Sequence, residues 1–507
     1  MQRFVDSADG TRIAVYEQGG RDRPTLVMAH GWPDSHVLWD GVVAELGDRY
    51  RIVRYDNRGA GASDVPEPVS AFTMERFADD LSAVLDELSP GAPAHVLAHD
   101  WGSVGVWEYL SRPGSAERVA SFTSVSGPST DHYGAFVRGR LARPYRPIQF
   151  AKAVNLASRF SYWILFSVPV IAPALMRAGA ARRLQAIDTP GPKYQSENLD
   201  IDAANSLKIY RANAIRSFTR LRYDHYVAIP VQLICNDDDP VVRGHGYDDE
   251  SKWVPRLWRR DLKAGHWAPF SHPKAIATAV AELVDHLEGA PASRALLRAQ
   301  VGRPRKTFGD TLVSITGAGS GIGRATALAF AAAGAEVVVS DLDEAAAKAT
   351  AAQITERGGV AHAYALDIAD AEAVERFVEQ VCAEHGVPDV VVNNAGIGVV
   401  NCCRSFARRL VERGTGGHIV NVASMAVHSP SQSMNTYATS KAAVLMFSDC
   451  LRAELSPAGI GLTTICPRVV DTNGIDTARF DVKAFAARRY GPDKVAKTIV
   501  SAVRRAG

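Results

Sequence analysis

The chain has 507 residues, more than a single hydrophobic core usually supports, so we expect at least two domains. Hydrophobic residues make up 47% and charged residues 22%, as in ordinary globular proteins, and the net charge of +2 does not indicate a nucleic-acid partner. The six cysteines lack the spacing of a disulfide framework or a metal site, and adjacent Cys402 and Cys403 cannot easily bridge each other. We therefore expect a reduced, cytoplasmic protein without a bound metal.

The sequence gives little sign of targeting to a membrane. The first residues lack the apolar core of a signal peptide. The most apolar segment, Tyr162 to Met176, is interrupted by Pro169 and Pro173 and is too short to predict a membrane span. We interpret it as a buried or lipid-facing helix and leave peripheral contact with a membrane as an open expectation.

Strand and helix patterns alternate along the first part of the chain. The predicted strands are 12–17, 25–29, 50–55 and 95–98, and the predicted helices are 38–46, 73–88 and 104–110. This alternation predicts an α/β fold, a parallel sheet with helices on both faces. Active sites of such folds lie at the carboxyl ends of strands, where His30-Gly31-Trp32-Pro33 and Asp100-Trp101 occur.

The stretch from His95 to Ser103 organises this half of the chain. A buried strand, a sharp turn and a helix in succession are typical of a nucleophile elbow, with Asp100 at the apex and Gly102 allowing a close approach of the helix. A carboxylate nucleophile forms an ester that water must then cleave, which suits epoxides and alkyl halides. An Asp that caps a helix N-terminus is the alternative interpretation, and this stretch alone does not separate the two.

Residues 5–287 resemble the α/β-hydrolase family and, more narrowly, its epoxide hydrolases. The motifs that carry the resemblance are His30-Gly31-Trp32-Pro33, Asp56-Asn57-Arg58-Gly59 and His99-Asp100-Trp101-Gly102. The resemblance implies that Asp100 is the nucleophile and that the backbone amides of Trp32 and Trp101 form the oxyanion hole. Fixed N–H donors are needed there because charge collects on one oxygen when water attacks the ester.

The same resemblance implies an acid and a base further along the chain. A predicted strand ends in Asn236-Asp237-Asp238-Asp239-Pro240, and Asp239 matches the acid position. Asp237 and Asp238 remain alternatives, as does a plain acidic turn, because three consecutive Asp leave the register open. His266 matches the base that activates water. The other histidines interpreted as surface or core residues are His225, His245 and His272.

Between about residues 129 and 227 the strand–helix alternation stops, which predicts a helical lid inserted in the sheet domain. Epoxide hydrolases protonate the leaving oxygen with two lid tyrosines, and the resemblance assigns these roles to Tyr162 and Tyr210. Ordinary aromatic packing is the alternative for any one tyrosine.

Two other hydrolase types are alternatives to an epoxide hydrolase. Haloalkane dehalogenases share the Asp-Trp-Gly elbow, and Trp101 would then bind halide. An esterase is disfavoured because Asp100 stands where esterases have Ser.

After the predicted linker, residues 289–308, a second set of patterns begins. A predicted strand over 311–316 meets the run Gly317 to Gly323 and a helix, and the next predicted strand ends at Asp341. Glycines there let backbone amides at a helix start approach a pyrophosphate, and a carboxylate at the second strand end binds ribose hydroxyls. This context predicts a dinucleotide-binding fold.

Residues 309–505 resemble short-chain dehydrogenases/reductases, which implies a Rossmann-type doubly wound parallel sheet. In that family Ser424 positions the reacting carbonyl, Tyr437 is the general acid/base, and Lys441 lowers the pKa of the tyrosine and holds the ribose. Asp341 favours NAD over NADP, a preference that Arg324 weakens only slightly. The implied cofactor-binding residues are Gly317, Gly319, Ser320, Gly321, Ile322, Gly323, Asp341, Asp367, Asn394, Tyr437 and Lys441.

This half departs from the family pattern. The helical run Val399 to Phe406 follows Gly396 almost at once, so roughly 20–30 residues are missing, together with a fourth catalytic residue, an Asn, for which Asn401 is not an equivalent. Arg468 replaces a glycine that lets nicotinamide approach the backbone. The end after Asp471 is also short. We expect a retained dinucleotide fold and exposed apolar surface, and we doubt full dehydrogenase activity.

The order hydrolase, basic linker and dehydrogenase resembles a mycobacterial type of fusion protein, which implies lipid-type substrates. The first hypothesis is an epoxide hydrolase for small apolar epoxides that itself needs no cofactor. The second adds an NAD-dependent oxidoreductase in the same chain. The third restricts the C-terminal half to binding nucleotide or stabilising an assembly, and a homo-oligomer stays open.

Overall fold

The computed structural model describes residues 2–188, 196–213, 225–396, 398–428, 434–468, 470 and 490–506. The chain forms two compact units, Met1–Gly302 and Arg303–Gly507. The segment 289–308, expected as a linker, is shared between them. Its helix Arg294–Ala299 buries Leu296 against Trp258 and Leu283 in the first unit, and Phe308 joins the core of the second unit.

The first unit contains an eight-stranded mixed sheet in the order β1-β2-β4-β3-β5-β6-β7-β8. Its strands are β1 Gln2–Asp6, β2 Arg12–Gln18, β3 Thr25–Ala29, β4 Arg51–Tyr55, β5 Ala94–His99, β6 Val119–Val125, β7 Val231–Asn236 and β8 Leu257–Leu262. β2 pairs antiparallel with both β1 and β4, and the other pairs are parallel. The expectation of a purely parallel sheet is therefore wrong at this edge, where a tight turn joins β1 to β2 and reverses the chain.

Helices cover both faces of this sheet. The α-helices of the first unit outside the lid are Asp40–Leu46, Met74–Leu88, Asp100–Leu110, Ser115–Arg118, Ala268–Ser271, Pro273–Leu287 and Arg294–Ala299. Alternate residues of β3 show why two layers form. Val27 and Ala29 pack in one core cluster, and Leu26 and Met28 pack in the cluster on the opposite face.

The lid lies between β6 and β7, as the loss of strand patterning predicted. Its described α-helices are Thr130–Leu141, Pro147–Ser158, Tyr162–Phe166, Ile171–Leu175, Ala181–Asp188, Leu199–Ser206 and Lys208–Asn213. The lid turns aromatic side chains inward, and these pack in a cluster with Trp32 and Trp101 of the sheet domain. This packing places the lid over the carboxyl ends of the central strands.

The second unit contains a six-stranded parallel sheet in the order β11-β10-β9-β12-β13-β14, the doubly wound architecture expected from the sequence. Its strands are β9 Leu312–Thr316, β10 Glu336–Asp341, β11 Val360–Ala365, β12 Val390–Asn393, β13 Gly417–Val422 and β14 Ile460–Ile465. Its α-helices are Gly321–Ala332, Glu344–Glu356, Ala371–His385, Val399–Arg413, Asn435–Leu455 and Pro492–Ala506.

The shortened region after β12 keeps a packed helix. Val399–Arg413 begins three residues after Gly396 and buries Cys402, Phe406 and Leu410 against the sheet. The following helix, Asn435–Leu455, buries few side chains, and Met446 is 65% exposed. This matches the expectation of exposed apolar surface. Of the short end after Asp471, residues 471–489 lie outside the described residues.

Candidate active site and dinucleotide site

The turn between β5 and the following helix holds Asp100 in a strained conformation. Asp100 has φ 47°, a left-handed value that is uncommon for residues other than glycine. The helix N-cap is His99, not Asp100, which disfavours the capping interpretation. A Cβ at Gly102 would lie 2.2 Å from the His30 carbonyl oxygen, so only glycine permits this approach of helix and strand. Strain of this kind is typical of functional turns.

The Asp100 carboxylate faces the backbone amides expected of an oxyanion hole. The Trp32 N–H donates to Asp100 Oδ2 at 2.9 Å, and the Trp101 N–H also donates to this carboxylate. Burial raises the pKa of Asp100, while His266 and these two amides oppose the rise. The structure thus brings together Trp32, Asp100 and His266, which lie far apart in the sequence.

His266 lies between two carboxylates. Its Nδ1 donates to Asp239 Oδ2 at 2.9 Å, and its Nε2 lies 3.7 Å from Asp100 Oδ1. The buried Nε2 of His99 donates to the His266 carbonyl oxygen at 2.9 Å, which fixes the loop after β8. Burial lowers the pKa of His99 to about 3, so this neighbour is neutral and adds no positive charge.

The structure distinguishes the three consecutive aspartates after β7. Asp239 is fully buried, and its Oδ1 accepts hydrogen bonds from the Val241 and Val242 amides at 2.7 and 2.9 Å. Burial raises the pKa of Asp239, but His266 and these amides outweigh that effect, so its pKa is below the usual value. Asp237 and Asp238 are exposed. Only Asp239 among them contacts His266.

Tyr162 and Tyr210 meet above the turn. Their ring centroids are 5.8 Å apart, and Tyr210 packs edge-on against both Trp32 and Trp101, at 5.5 and 5.4 Å. Burial, and secondarily the charge of Asp100, raises the pKa of Tyr162, and burial likewise raises that of Tyr210. Both hydroxyls therefore stay protonated and are able to donate a proton.

One functional candidate escaped the sequence analysis. Asp34 is buried behind the site, and its carboxylate accepts hydrogen bonds from Trp267 Nε1 at 3.0 Å and from Gln185 Nε2 of the lid at 2.5 Å. Burial raises its pKa to about 7, against the effect of these two bonds. Its position directly after His30-Gly31-Trp32-Pro33 was the available signal, but burial of an Asp is not evident from sequence.

The other histidines set aside in the sequence are structural or peripheral. His225 is buried beside His132, with ring centroids 4.9 Å apart. His272 hydrogen-bonds the neighbouring Ser271. None of these contacts joins the Asp100, His266 and Asp239 group.

In the second unit the glycine-rich loop follows β9 as expected. Gly317 and Gly321 have φ 63° and 53°. A Cβ at Gly319 would lie 2.7 Å from Ala346 Cβ, and one at Gly323 would lie 2.0 Å from the Gly317 carbonyl oxygen. The loop therefore requires glycine for its own packing and presents backbone at a helix start, as a pyrophosphate site does.

Two side chains fix this loop from neighbouring strands. Asp341 Oδ2 accepts a hydrogen bond from the Gly319 N–H at 2.8 Å, and Asn394 Nδ2 donates to the Gly317 carbonyl oxygen at 3.0 Å. Asp367 is exposed beyond β11 and holds its own turn through the Ala369 amide. Ser320 is the N-cap and Ile322 lies in the first turn of the helix. The backbone of the glycine-rich loop, together with Asp341 and Asn394 beside it, fits a dinucleotide.

The residues expected to perform dehydrogenase chemistry are less well assembled. Tyr437 is 45% exposed, whereas Lys441 is buried and its Nζ donates to the Val422 carbonyl oxygen at 3.0 Å. Ser424 Oγ accepts a hydrogen bond from the Ala426 amide. Among the described residues, no hydrogen bond links the Ser424, Tyr437 and Lys441 side chains. The lysine is thus directed to the backbone instead of to the tyrosine.

The two departures from the family pattern also have structural counterparts. Asn401 Nδ2 donates to the Ile368 carbonyl oxygen at 3.1 Å, and a Cβ at Gly398 would lie 2.1 Å from that same oxygen. Asn401 thus serves the packing of the shortened helix. Arg468 is exposed.

One group in the described part of the second unit has metal-binding residue types, Glu336, His362 and His385. His362 Nε2 lies 2.9 Å from Glu336 Oε1, and the two imidazole rings stack at 3.8 Å with 21° between their planes. Because ring-nitrogen lone pairs lie in the ring plane, nearly parallel rings do not direct them at one ion. We interpret the group as a hydrogen-bonded cluster.

Comparison with protein-family models matches both units. The alpha/beta hydrolase fold matches residues 24–273, and the short chain dehydrogenase family matches residues 311–481.

Three relatives illustrate the two parts. Probable oxidoreductase EphD of Mycobacterium tuberculosis is 59% identical over 552 aligned positions, covering 100% of this chain and 93% of that protein. Epoxide hydrolase A of the same organism is 26% identical over 331 positions, covering 57% of this chain and 98% of that protein. A 1-deoxy-11-beta-hydroxypentalenate dehydrogenase of Streptomyces exfoliatus is 36% identical over 183 positions, covering 31% of this chain and 66% of that protein.

The alignment with the first relative has 552 positions, 45 more than the 507 residues of this chain. That relative therefore carries residues inside the matched range that this chain lacks, in agreement with the internal deletion inferred from the sequence.

Proposed function

This chain belongs to the family of fusion proteins, an α/β hydrolase followed by a short-chain dehydrogenase, that includes Probable oxidoreductase EphD, and from this premise we propose that its first unit hydrolyses epoxides to vicinal diols. The observation that carries the proposal is the grouping of the Asp100 carboxylate, the Trp32 amide and the His266–Asp239 pair beneath two protonated tyrosines.

In the first step an Asp100 carboxylate oxygen attacks one epoxide carbon and the carbon–oxygen bond of the ring breaks. The leaving oxygen takes a proton from Tyr162 or Tyr210, whose raised pKa values keep them protonated until that oxygen becomes basic. The product of this step is a hydroxyalkyl ester of Asp100.

In the second step His266 Nε2 takes a proton from a water molecule, which attacks the ester carbonyl carbon. The negative charge that develops on the former carboxylate oxygen is stabilised by the Trp32 and Trp101 amides. Asp239 stabilises the imidazolium that forms. The intermediate then collapses with cleavage of the bond between the carbonyl carbon and the alkyl oxygen, and the leaving alkoxide takes the proton of the newly added hydroxyl, which regenerates the Asp100 carboxylate and releases the diol. The proton on His266 returns to the tyrosinate.

Isotope incorporation tests this mechanism directly. A single turnover in H₂¹⁸O should place one ¹⁸O in the peptide that contains Asp100 and none in the first diol released, because water attacks the ester and not the epoxide. Asp100→Asn should abolish diol formation. Label found in the diol, or unchanged turnover by Asp100→Asn, would exclude the ester mechanism.

A haloalkane dehalogenase is the alternative, favoured by Trp101 beside the nucleophile. The two tyrosines separate these activities, because an epoxide oxygen needs a proton whereas a leaving halide does not. We expect Tyr162→Phe with Tyr210→Phe to lower epoxide turnover by about 10²–10⁴-fold. The alternative would be favoured if the protein lacks epoxide activity and if the double tyrosine variant still releases halide from haloalkanes.

We propose lipid-type epoxides as the substrate class. The site is enclosed by Trp32, Trp163, Phe166 and Tyr210, which offer apolar contact to an alkyl chain. The expected result is a kcat/KM that rises with chain length across epoxidised alkanes and fatty acids. A preference for short, polar epoxides would contradict this assignment.

For the second unit we propose binding of NAD without efficient dehydrogenation. The glycine loop, Asp341 and Asn394 would hold the dinucleotide, which when bound supplies hydride chemistry. Tyr437 is 45% exposed and Lys441 donates to the Val422 carbonyl oxygen, so among the described residues no hydrogen bond from the lysine supports proton donation by the tyrosine.

Thermal unfolding monitored with each cofactor tests this second proposal. NAD should raise the melting temperature more than NADP, and Asp341→Ala should remove the difference. Alcohol-dependent reduction of NAD that is lost in Tyr437→Phe would instead show a working dehydrogenase.

A further inference from the structure

The lid carries an exposed apolar corner. Within twelve residues, five large aliphatic side chains are largely exposed. These residues, which we call the lid corner, are Ile164 at 75%, Leu165 at 52%, Val170 at 80%, Ile171 at 58% and Leu175 at 48%. A contiguous apolar patch of this kind is unusual on a monomer and marks an interaction site.

The lid corner is continuous with the wall of the site. In the short helix Tyr162–Phe166, Trp163 is buried against Trp101, with ring centroids 5.1 Å apart, while Ile164 and Leu165 face outward. One turn of helix therefore links the exposed corner to the aromatic roof above Asp100. Whatever covers the corner lies directly outside the candidate active site.

The backbone at the corner is strained so that an apolar side chain is presented. Val170 has φ 69°, a genuine outlier for a β-branched residue, and it is the most exposed member of the corner. The chain turns here, and the two helical limbs on either side, Pro147–Phe166 and Ile171–Ile187, are bent by 87°. No described helix is by itself long and apolar enough to cross a membrane. The corner is the outer angle of a bent pair.

The charge of the surrounding lid is strongly one-sided. Residues 132–187 contain nine Arg and Lys and no Asp or Glu, in a chain whose total net charge is only +2. Two of these cations pair with acids elsewhere, Arg140 with Asp249 and Arg182 with Asp200. The exposed cations of residues 132–187 are Arg143, Arg146, Lys152, Arg177 and Arg183, and the described part of the chain forms no ion pair with them.

We infer that the lid corner docks on an anionic lipid surface, with Ile164, Leu165, Val170 and Ile171 inserted among the acyl chains and the lid cations among the headgroups. An apolar edge flanked by Arg and Lys is the chemistry of proteins that lie in the membrane interface. A second copy of the chain fits less well, because a symmetric contact at the corner would bring together two copies of the cationic segment 132–187.

Flotation of the full-length protein with lipid vesicles tests the inference without any need for turnover. Vesicles that contain phosphatidylglycerol should carry the protein upward, and vesicles of phosphatidylcholine alone should carry much less. The triple variant Ile164→Ser, Val170→Ser, Ile171→Ser should lower the bound fraction about tenfold or more. The matched control is Leu342→Ser with Val360→Ser, which removes exposed apolar side chains of the second unit and should leave binding unchanged.

The charges are tested by a second variant, Arg143→Gln, Arg146→Gln, Arg177→Gln and Arg183→Gln. This variant should bind anionic vesicles several-fold more weakly than the wild type at low salt. The difference between the two proteins should shrink at higher salt, because salt screens the attraction between the lid cations and the headgroups. Binding that is equal on neutral and anionic vesicles overturns the role of the charges and with it the inference. Absence of binding, or binding that the corner variant keeps, also overturns it.

Two controls separate this inference from its alternatives. Melting followed by circular dichroism must show that the corner variant is folded, and hydrolysis of a soluble epoxide should remain unchanged in it. If the wild type binds vesicles but makes no diol, the proposed hydrolase function fails while the docking surface stands. If the wild type is a dimer that the corner variant converts to a monomer and neither binds vesicles, a second copy covers the corner and the inference is wrong.

Discussion

Replacement of Asp239 by Asn should stop the second half of the reaction and leave the first half nearly intact. The reason lies in the partners of this carboxylate. Asp239 Oδ1 accepts two backbone hydrogen bonds, from Val241 and Val242, and Oδ2 faces His266 Nδ1 at 2.9 Å. In the variant the amide oxygen must stay with the two backbone donors, since an amide NH₂ there would meet N–H groups. The NH₂ then faces Nδ1 of His266.

That geometry imposes the wrong tautomer on the histidine. With an NH₂ donor against it, Nδ1 must be an acceptor, so the proton sits on Nε2, the atom that should take a proton from water. Loss of the correct tautomer in comparable Asp-His pairs costs about 10⁴-fold in kcat, which is about 5 kcal/mol of activation free energy. We expect steady-state diol formation by Asp239→Asn to fall by about 10³–10⁴-fold.

A rapid-quench experiment with mass spectrometry measures both halves. Attack by Asp100 does not require His266 as a base, so Asp239→Asn should consume about one equivalent of epoxide per site and accumulate the Asp100 ester. Asp237→Asn and Asp238→Asn are matched controls, because both carboxyl groups are exposed and should turn over normally. A large loss in either control, normal turnover in Asp239→Asn, or a failure to accumulate ester would refute this reasoning.

Three further predictions concern stability and cofactor binding. In the folded chain Asp34 has a pKa of about 7, against a usual value of 3.8, so the unfolded chain loses this proton first as pH rises and the free energy of unfolding declines between about pH 4 and 7. Asp34→Asn should remove up to about 4 kcal/mol of this decline. Urea unfolding in which the variant keeps the full dependence of the unfolding free energy on pH would contradict the prediction. Gly319→Ala should weaken NAD binding about tenfold or more in calorimetry, because its Cβ would lie 2.9 Å from Asp341 Oδ2, and should not alter epoxide hydrolysis. The buried guanidinium of Arg58 pairs with Asp80 at 2.5 Å, so Asp80→Ala removes its main partner and should lower the free energy of unfolding by about 3–5 kcal/mol. A loss below about 1 kcal/mol in chemical denaturation would show that water or Asp9 compensates.

The second unit shows what a shortened segment does to a dinucleotide fold. The glycine loop remains, because it depends on β9, β10 and β12, which precede the altered region. Tyr437 and Lys441 follow that region, and among the described residues no hydrogen bond joins their side chains, since Lys441 donates to the Val422 carbonyl oxygen. Binding and chemistry are therefore separable properties of this unit, and the NAD and alcohol assays measure them independently.

The fold class was largely predictable from local patterns. Strand and helix periodicity predicted most elements of the first half, for example the strand Thr25–Ala29 with the same bounds that the structure has. The antiparallel edge strand Gln2–Asp6 and the strand Val119–Val125 were not predicted. Their place is set by pairing with neighbours far along the chain.

The sequence by itself determined the residue types and order of the candidate site, because a strained elbow, an acidic turn before proline and a histidine after the last strand each leave a local pattern. Only the tertiary structure decided which aspartate faces His266, since the burial of Asp239 and the exposure of Asp237 and Asp238 depend on β8 and the loop packed against them. The buried Asp34, the hydrogen bond of Lys441 to the Val422 carbonyl oxygen and the exposed lid corner were likewise decided by packing between segments distant in sequence. Local patterns indicate which chemistry a residue type allows, whereas the burial and the contact partners of that residue depend on the folded chain.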